Sequence, residues 1–531
     1  MVRLTIDNRP VDVPDGSTIL DAARALGIDI PALCYRRGCD PNTSCLACVV
    51  KIGDSRRLVP ACATRVAQGM VVHSETSEVR EARKTALELL LADHAGDCLA
   101  PCQNVCPAHM DIPLMIRHIE AGHLHEALVV VKQRIALPAV LGRICPELCE
   151  KGCRRAAAGG AVSICQLKRH VADVDLFSGN PYLPPCRPDS GKRIAIVGTG
   201  PAGLAAAWYL RQMGHGCVLL DEHDQPGGNL RYAVKESQLP RDVLDGEIDL
   251  VRRLGATFEL NRRLGRDMSV YELRRQFDAV LLAIGEVDGK TANLGLEIAG
   301  KSLKADRQTM QTAMEGVFAA GAALSPMRHA VRAVGDGRLA AEAMDAYLAG
   351  RPITVQRAEF SVRLGVLQGA EQAAFFAEAD PAPRVAPHRP DGPGLSIPEA
   401  RGEARRCMNC DCAKLENCAL RHYAELYEAS PTRFRMERRP FERVRTEQVV
   451  FESGKCISCG LCVQITQRSG EELGLTYIGR GFQVRVGAPL GRDLSEALRK
   501  VAAECAEACP TGAIVLRRGA SGSADGGPGG P

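Results

Sequence analysis

The chain is 531 residues long, 46% hydrophobic and 24% charged, with a formal net charge of +4. That length exceeds one compact core and asks for several domains, and the near-neutral balance gives no electrostatic footing for nucleic acid or an anionic membrane. The opening MVRLTIDNRP has no apolar leader and no run of about 18 apolar residues follows, so neither export nor membrane insertion is expected and the compartment reads as cytoplasmic. In that compartment the 23 cysteines, gathered in tight groups, read as thiolate metal ligands and not as a disulfide scaffold.

Residues 1–77 alternate short apolar strands with turns. LTIDNRPVDVPDG has the pattern of a hairpin, and STILDAARALG that of a short amphipathic helix opened by Ser17 or Thr18. Within this region Cys34, Cys45, Cys48 and Cys62 are separated by 10, 2 and 13 residues, with Gly38 and Pro41 suited to folding the loop back. A loop carrying three thiolates with a distant fourth is how small domains hold two irons. Cys39 is a spare that could replace Cys34 or stand as a buried thiol. The segment resembles the N-terminal [2Fe–2S] domain of the large iron–sulfur subunit of respiratory complex I, which implies a β-grasp, ferredoxin-like fold.

Residues 78–93 have helical periodicity and should form a connecting helix. The next segment, 94–180, is helical and cysteine-rich. His94-x3-Cys98-x3-Cys102-x3-Cys106-Pro107 is followed by Cys145-Pro146-x2-Cys149-x3-Cys153 and then by Cys165. Spacings of three and four put ligands on one helical face. GRICPELCEKGC and CPAHMDIPLMIRHIEAGHLHEAL resemble the N-terminal region of the small subunit of glutamate synthase and of dihydropyrimidine dehydrogenase, where two [4Fe–4S] clusters are built by ligands crossing between the two groups. Carried over by position, the resemblance implies one cluster on Cys106, Cys145 and Cys149 and a second on Cys98, Cys102 and Cys153. The first group is a cysteine short of that pattern and Cys165 is extra, so Cys165 could complete the first set and His94 the second. DHAGDC resembles the His-x3-Cys start of a cluster motif in the complex I subunit.

KRIAIVGTGPAGLAAAWYLRQMG reads as a buried strand, a glycine turn and a helix. Gly198, Gly200 and Gly203, with Pro201 and Ala202 between them, allow a tight turn, close approach of a pyrophosphate, and charge stabilisation by the helix N-terminus. The next strand ends on Asp221, eighteen residues after Gly203 and suited to a ribose hydroxyl, with Glu222 as the neighbouring alternative. GPAGL followed by DQPGGNLRY (with Gly228), FDAVLLAIG (ending on Gly285) and GVFAAGAA (with Gly321) resemble the FAD domain of glutamate synthase small subunits. The helix near Gly335 would then point its N-terminus at the isoalloxazine. Ala322 stands where that family has an acid, which removes an expected ribityl contact. Only about thirty residues, 286–315, separate AIG from EGVFAAG, too few for an inserted Rossmann-type domain of about 100, and no second glycine fingerprint occurs. The chain is therefore expected to lack a nicotinamide site of its own.

Residues 376–400 are rich in Pro, Ala and Gly and read as part of a linker. Cys407, Cys410, Cys412 and Cys418 are enough for a small metal site, iron–sulfur or zinc. Cys456-x2-Cys459-x2-Cys462 with a remote Cys509-Pro510 suits one [4Fe–4S] cluster, and this region too resembles the complex I subunit. Thr466 takes the place of a further close cysteine, and Cys505 is an unused neighbour or alternate ligand.

The expected architecture is a multidomain α/β and α+β chain. It comprises a β-grasp [2Fe–2S] ferredoxin-like domain (1–77), a helical Fe–S domain (78–185), a Rossmann-like FAD domain (186–350), a linker (351–405), a cysteine-rich metal segment (406–450), a C-terminal ferredoxin-like [4Fe–4S] domain (451–518) and a disordered tail (519–531). The expected cofactors are FAD, one [2Fe–2S] and about three to four [4Fe–4S] clusters. Such a set implies an oxidoreductase subunit passing electrons between flavin and clusters. Its partners would be other redox subunits: a dehydrogenase, an NAD(P)H-binding subunit or a ferredoxin. The alternative is a non-catalytic relay or scaffold subunit.

Overall fold

The computed structural model describes residues 1–287, 294–355, 359–386, 389, 391–434, 437–439 and 441–517; the tail expected to be disordered lies outside them. They form two compact units. The first joins Met1–Leu99 to Phe360–Ala377 and to the chain from Cys410 onward, and the second joins Ala100–Glu359 to Glu378–Asn409.

In the first unit β1 (Val2–Ile6) and β2 (Arg9–Val13) pair as a hairpin that turns at Asp7 and Asn8, both at positive φ. Asp and Asn are the side-chain-bearing residues that tolerate this conformation best. Thr18 caps α1 (Ile19–Ala25): its hydroxyl accepts the Asp21 amide at 3.1 Å, and the Asp21 carboxylate accepts the Thr18 amide at 3.0 Å. With β3 (Val49–Ile52), β4 (Leu58–Pro60) and β5 (Val71–His73) the sheet order is β2-β1-β5-β3-β4, β1 and β5 running parallel. Alternate residues Leu4, Ile6, Val50 and Val72 meet Ile19, Leu20 and Ala23 of α1 in one core. This is the β-grasp arrangement. α2 (Ser77–Asp93), capped by Thr76, is the connecting helix read from periodicity.

The second unit opens with short helices: α3 (Pro101–Val105), α4 (Ile112–Ala121), α5 (Leu124–Lys132), α6 (Pro138–Ile144), α7 (Leu148–Lys151) and α8 (Ile164–Leu176). Proline in the first turn starts α3, α4 and α6, where a missing amide costs nothing. The buried Glu247 carboxylate accepts the Ala139 and Val140 amides at 2.8 and 2.9 Å, which anchors the start of α6; its end delivers Cys145. The alternating strands and helices follow: β6 (Arg193–Val197), α9 (Pro201–Gln212), β7 (Gly216–Leu220), α10 (Asn229–Tyr232), α11 (Arg241–Arg253), β8 (Thr257–Glu259), α12 (Val270–Gln276) and β9 (Ala279–Leu282). A small hairpin, β10 (Ile298–Ala299) and β11 (Ser302–Leu303), precedes β12 (Val317–Ala319) and the long α13 (Ala330–Leu348). The parallel sheet has order β12-β9-β6-β7-β8, and its central strands β9 and β6 are apolar from Ala279 to Leu282 and from Ile194 to Val197 because both faces are covered there.

The stretch expected to be a linker is packed structure. α14 (Gly369–Phe376) belongs to the first unit and α15 (Ile397–Arg405) to the second. Glu403, fully buried, accepts the Ser163 and Val385 amides at 2.8 Å each and pairs with buried Arg406 at 2.5 Å. Proline-rich composition hid this buried ion pair, which holds 378–406 onto the helical core.

The chain returns to the first unit with α16 (Ala419–Leu426), β13 (Arg443–Arg445), β14 (Val449–Glu452), α17 (Leu461–Arg468), β15 (Thr476–Ile478), β16 (Arg485–Gly487), α18 (Leu494–Ala497), α19 (Ala502–Ala508) and β17 (Ile514–Leu516). β13, β14 and β17 form a three-stranded antiparallel sheet, on which α17 and α19 pack. Among the described residues no helix is long and apolar enough to cross a membrane.

Candidate iron–sulfur and nucleotide sites

In the first unit Cys34, Cys45, Cys48 and Cys62 are all buried and stand in two pairs. Cys34 Sγ lies 3.3 Å from Cys45 Sγ, and Cys48 Sγ 3.5 Å from Cys62 Sγ. Two thiolates on one tetrahedral metal, with metal–sulfur bonds of about 2.3 Å, stand about 3.8 Å apart, so each pair matches the ligands of one iron in a two-iron centre. The β3–β4 ladder sets the second pair, with the Ala61 amide donating to Cys48 O at 3.0 Å. Hydrogen bonding from the partner thiol pulls Cys34 down to about 6 and Cys48 to about 7, while Cys45 and Cys62 are raised. Cys39 stands apart from the pairs, its sulfur 3.7 Å from the Arg468 guanidinium.

Cys456, Cys459, Cys462 and Cys509 line one apolar cavity between β14, α17 and β17. Thr511, buried, donates its hydroxyl to Lys455 O at 2.9 Å and so ties the Cys509 loop to the start of the Cys456 loop. Cys505 does not line the cavity; its buried thiol donates to Cys462 O at 3.9 Å. The Thr466 hydroxyl donates to Val463 O and accepts the Leu475 amide, both at 3.0 Å, which is a structural role. Two further contacts tie this cavity to its surroundings. Asn42, in the [2Fe–2S] loop, donates to Cys459 O at 3.0 Å, and Cys34 is close enough to help raise the Cys459 thiol, after burial. On another side Cys418 Sγ lies 3.8 Å from Pro510 O, and any side chain at Gly512 would run into Cys412 Sγ.

Cys98, Cys412 and Cys418 form the third group of this unit. The Cys412 amide donates to Cys98 O at 3.0 Å; burial first, and then the neighbouring thiols, raise Cys98 and push Cys418 up to about 12. Cys98 thus groups with cysteines three hundred residues away, a departure from the set with Cys102 and Cys153, which belong to the second unit. The four-cysteine segment 407–418 is likewise divided: Cys407 belongs to the second unit and Cys410, Cys412 and Cys418 to the first. His94 is 8% exposed, its Nδ1 has no hydrogen-bond partner among the described residues, and burial with the Lys455 ammonium nearby pushes the ring down to about 4.

In the second unit Cys106, Cys145, Cys149 and Cys165 line a small cavity together with Lys168 and Val331. A hydrogen bond from the Cys165 thiol pulls Cys145 down to about 5, while burial first raises Cys149 and Cys106. Cys102 and Cys153 pack against the same core, where α3 meets α7, as does Cys407.

The glycine turn joins β6 to α9. A Cβ on Gly203 would strike Gly198 O, and one on Gly198 the Ala283 carbonyl, so both positions are closed to side chains; Gly200 meets nothing within 4 Å. Gly228, at positive φ, rests on the Gly200 backbone, and Gly321, also at positive φ, on Ala202 Cβ; Gly285 is open. Asp221 is buried, and all its acceptor capacity is used locally: Oδ2 accepts the Thr199 amide at 2.7 Å and hydroxyl at 2.6 Å, and Oδ1 the His223 amide at 3.0 Å, with His223 Nδ1 at 2.7 Å. Glu222 is exposed and pairs with Arg263 at 3.3 Å. α13 links this turn to the cysteine cavity. Gly337 packs on Ala202 O, Gly335 lies against Pro107 O, and Val331 reaches the cavity wall.

Three family models match this arrangement. Residues 1–77 match a 2Fe-2S iron-sulfur cluster binding domain, 73–179 the 4Fe-4S domain II of dihydropyrimidine dehydrogenase, and 196–248 an NAD(P)-binding Rossmann-like domain. The chain is a multidomain protein of [2Fe–2S], helical [4Fe–4S] and Rossmann-like domains. It is 40% identical over 207 residues to the NADP(+)-dependent formate dehydrogenase subunit beta of Moorella thermoacetica, covering 35% of this chain and 29% of that protein. It is 37% identical over 208 residues to the NADPH-Fe(3+) oxidoreductase subunit beta of Geobacter sulfurreducens, covering 39% and 30%. It is 34% identical over 207 residues to the NAD-dependent dihydropyrimidine dehydrogenase subunit PreT of Escherichia coli O157:H7, covering 38% and 50%. The chain thus spans from under a third to half of the length of these relatives.

Sequence reasoning missed three supporting residues. Asn42 carried no signal, since it acts through a hydrogen bond to the distant Cys459 carbonyl; Thr511 is visible in the Cys509-Pro510-Thr511-Gly512-Ala513 run, but its bonds to Lys455 O and from the Ala513 amide are not. Lys168 did carry one: it sits three residues after Cys165 and so shares its face of α8.

Proposed function

We propose that this chain is the flavin- and iron–sulfur-bearing subunit of a multisubunit oxidoreductase, passing electrons between FAD in the Rossmann-like domain and a series of clusters. The observation that carries the reading is α13. One helix touches both the glycine turn, through Gly337 on Ala202, and the four-cysteine cavity, through Val331. A flavin seated at that turn and a cluster in that cavity would be neighbours, and bound flavin supplies the exchange between two-electron and one-electron chemistry.

The chain's own residues support this chemistry. Gly198 and Gly203 hold the turn tight, and the open face of Gly200 admits a pyrophosphate to the N-terminus of α9. The sequence likeness to glutamate synthase FAD domains, the short 286–315 segment and the single glycine fingerprint favour FAD here and an NAD(P)H-binding site on a partner subunit. In the first unit the paired cysteines hold the [2Fe–2S] centre, Cys456, Cys459, Cys462 and Cys509 a [4Fe–4S] cluster, and Cys98, Cys412 and Cys418 three ligands of another. His94 is the candidate fourth ligand of that last cluster. The contacts Asn42–Cys459 and Cys418–Pro510 order these centres as [2Fe–2S], C-terminal cluster, then the Cys98 group.

The test is anaerobic purification of the full chain with iron, sulfide and flavin counted together. Released FAD, with bleaching by dithionite and none by NAD(P)H until a partner subunit is added, supports the proposal. Colourless, iron-free protein refutes it. Ala322, standing where the resemblance to glutamate synthase FAD domains implies an acid, favours the relay subunit as second reading: there the clusters bleach and no flavin is released.

A further inference from the structure

Lys168 is an ammonium buried without a carboxylate counter-charge among the described residues. It is 4% exposed, and among those residues its Nζ makes one hydrogen bond, to Leu141 O at 3.1 Å. No carboxylate lies within ion-pair distance of it among the described residues, whereas the other deeply buried lysines, Lys132 and Lys455, pair with Asp175 and Glu452. An unpaired charge in a protein interior is strongly disfavoured. The side chain is also aimed: Lys168 lies on the cavity wall with Cys106, Cys145, Cys149 and Cys165, one helical turn from Cys165 on α8.

The local backbone makes the need sharper. Cys165 Sγ lies 3.6 and 3.7 Å from the Leu141 and Gly142 carbonyls at the end of α6. Those oxygens suit a thiol and repel a thiolate. The ammonium engages the Leu141 carbonyl and offsets that repulsion when Cys165 ionises to bind metal.

We infer that Lys168 is the built-in counter-ion of a cluster held by Cys106, Cys145, Cys149 and Cys165, and that it raises the reduction potential of that cluster above what the four thiolates alone would set. The inference rests on the cluster reading proposed above. A four-thiolate [4Fe–4S] centre carries a total charge of −2 when oxidised and −3 after accepting one electron from reduced flavin or an external low-potential reductant; no proton is needed. A fixed positive charge at the wall favours the −3 state. The centre at the end of α13 then becomes an electron acceptor suited to a flavin docked at that helix. Lys168 acts as a positioning and charge-setting residue; it is not a ligand.

The experiment uses the full chain, purified anaerobically as wild type, Lys168→Met, Lys168→Arg and Cys165→Ser. Iron and sulfide are counted and the cluster signals are followed by paramagnetic resonance through a redox titration. In Lys168→Met one signal should become harder to reduce by 10- to 100-fold in equilibrium constant, about 59 to 118 mV for a one-electron couple. The other signals should not move, and Lys168→Arg should restore the potential. Loss of one cluster's iron in Lys168→Met with retention in Lys168→Arg also supports a required charge. Unchanged potentials in Lys168→Met at full iron content overturn the inference and leave the cluster reading intact, and equal loss of iron in both variants overturns it in favour of packing. A full complement of iron and sulfide with an unchanged spectrum in Cys165→Ser overturns the ligand set, and the inference with it.

Discussion

Gly200→Ala separates folding from nucleotide binding at the glycine turn. Gly200 has φ −71 and ψ −176, an extended conformation open to any residue, and an added Cβ meets no atom within 4 Å. The apo fold should therefore accept the methyl with little change in stability. The same open space is the approach a pyrophosphate needs to reach the first amides of α9. A methyl there displaces the diphosphate by about 1 Å and weakens about two charge-assisted hydrogen bonds worth 1.5–3 kcal/mol each when intact. A net loss of about 3 kcal/mol corresponds to roughly 100-fold weaker binding. Gly203→Ala is the contrasting variant: its Cβ collides with Gly198 O, backbone that cannot move without opening the turn, so it should lose both flavin and thermal stability. The assay is flavin released per chain, the FAD dissociation constant by fluorescence titration of apoprotein, and the unfolding temperature. Gly200→Ala that binds FAD with wild-type affinity would refute the placement of the pyrophosphate.

Three further outcomes follow from the same geometry. Cys39→Ser should leave the [2Fe–2S] spectrum intact because its thiol faces Arg468, whereas Cys45→Ala should abolish it; equal losses would reject the pairing. Cys505→Ala should retain all iron while Cys462→Ala loses up to about four atoms per chain, since only Cys462 lines the cavity; iron analysis decides it. Burial raises the Glu247 carboxyl from 4.5 to about 7. The native state then binds more protons than the unfolded chain between those values, so this residue's contribution to stability falls as pH rises through the window and levels off above it. The full span is about 3 kcal/mol at 1.36 kcal/mol per pH unit. Glu247→Gln should flatten that slope in unfolding measured at several pH values, and an unaltered slope would show that Glu247 does not titrate in the fold.

The parts legible in the sequence are those in which local chemistry and tertiary role agree. The Asp7–Asn8 turn, the Thr18 cap, the connecting helix after Thr76 and the strand–turn–helix at Gly198 each announce themselves through residues a few positions apart. The Cys456–Cys462 run with its remote Cys509 belongs here too, because Cys-Pro at the end of a helix is a local signal. What was hidden depends on partners distant in sequence. The spacing of Cys98 to Cys102 suggested one face and one cluster, yet the chain changes unit between them, at Leu99. Helical spacing constrains which ligands can share a site only while the helix continues, and α3 begins at Pro101. The segment 351–405 read as a linker because its composition is proline-rich; its later part is held by the Glu403–Arg406 pair and by the two hydrogen bonds Glu403 accepts from the Ser163 and Val385 amides, which no composition reveals.

The acid at the end of β7 shows how a correct motif can mislead about the working residue. Asp221 sits where the fingerprint asks for a ribose ligand, but its carboxylate already serves Thr199 and His223 with both oxygens. Binding a ribose through it would break charge-assisted bonds worth about 1.5–3 kcal/mol each to make bonds of similar strength, with little net gain. Glu222 is exposed and tied only to half-exposed Arg263, a pair worth about 1 kcal/mol or less, so it can turn to a ligand at low cost. Glu222→Gln should therefore weaken FAD binding about tenfold, the loss of one charged hydrogen bond, with the unfolding temperature unchanged. Asp221→Ala should instead strip four bonds from the turn and lower the unfolding temperature even without flavin. Paired titration and thermal-unfolding measurements on apoprotein distinguish the two. A Glu222→Gln variant with unaltered affinity, beside a stable Asp221→Ala that no longer binds FAD, would return the ribose to Asp221.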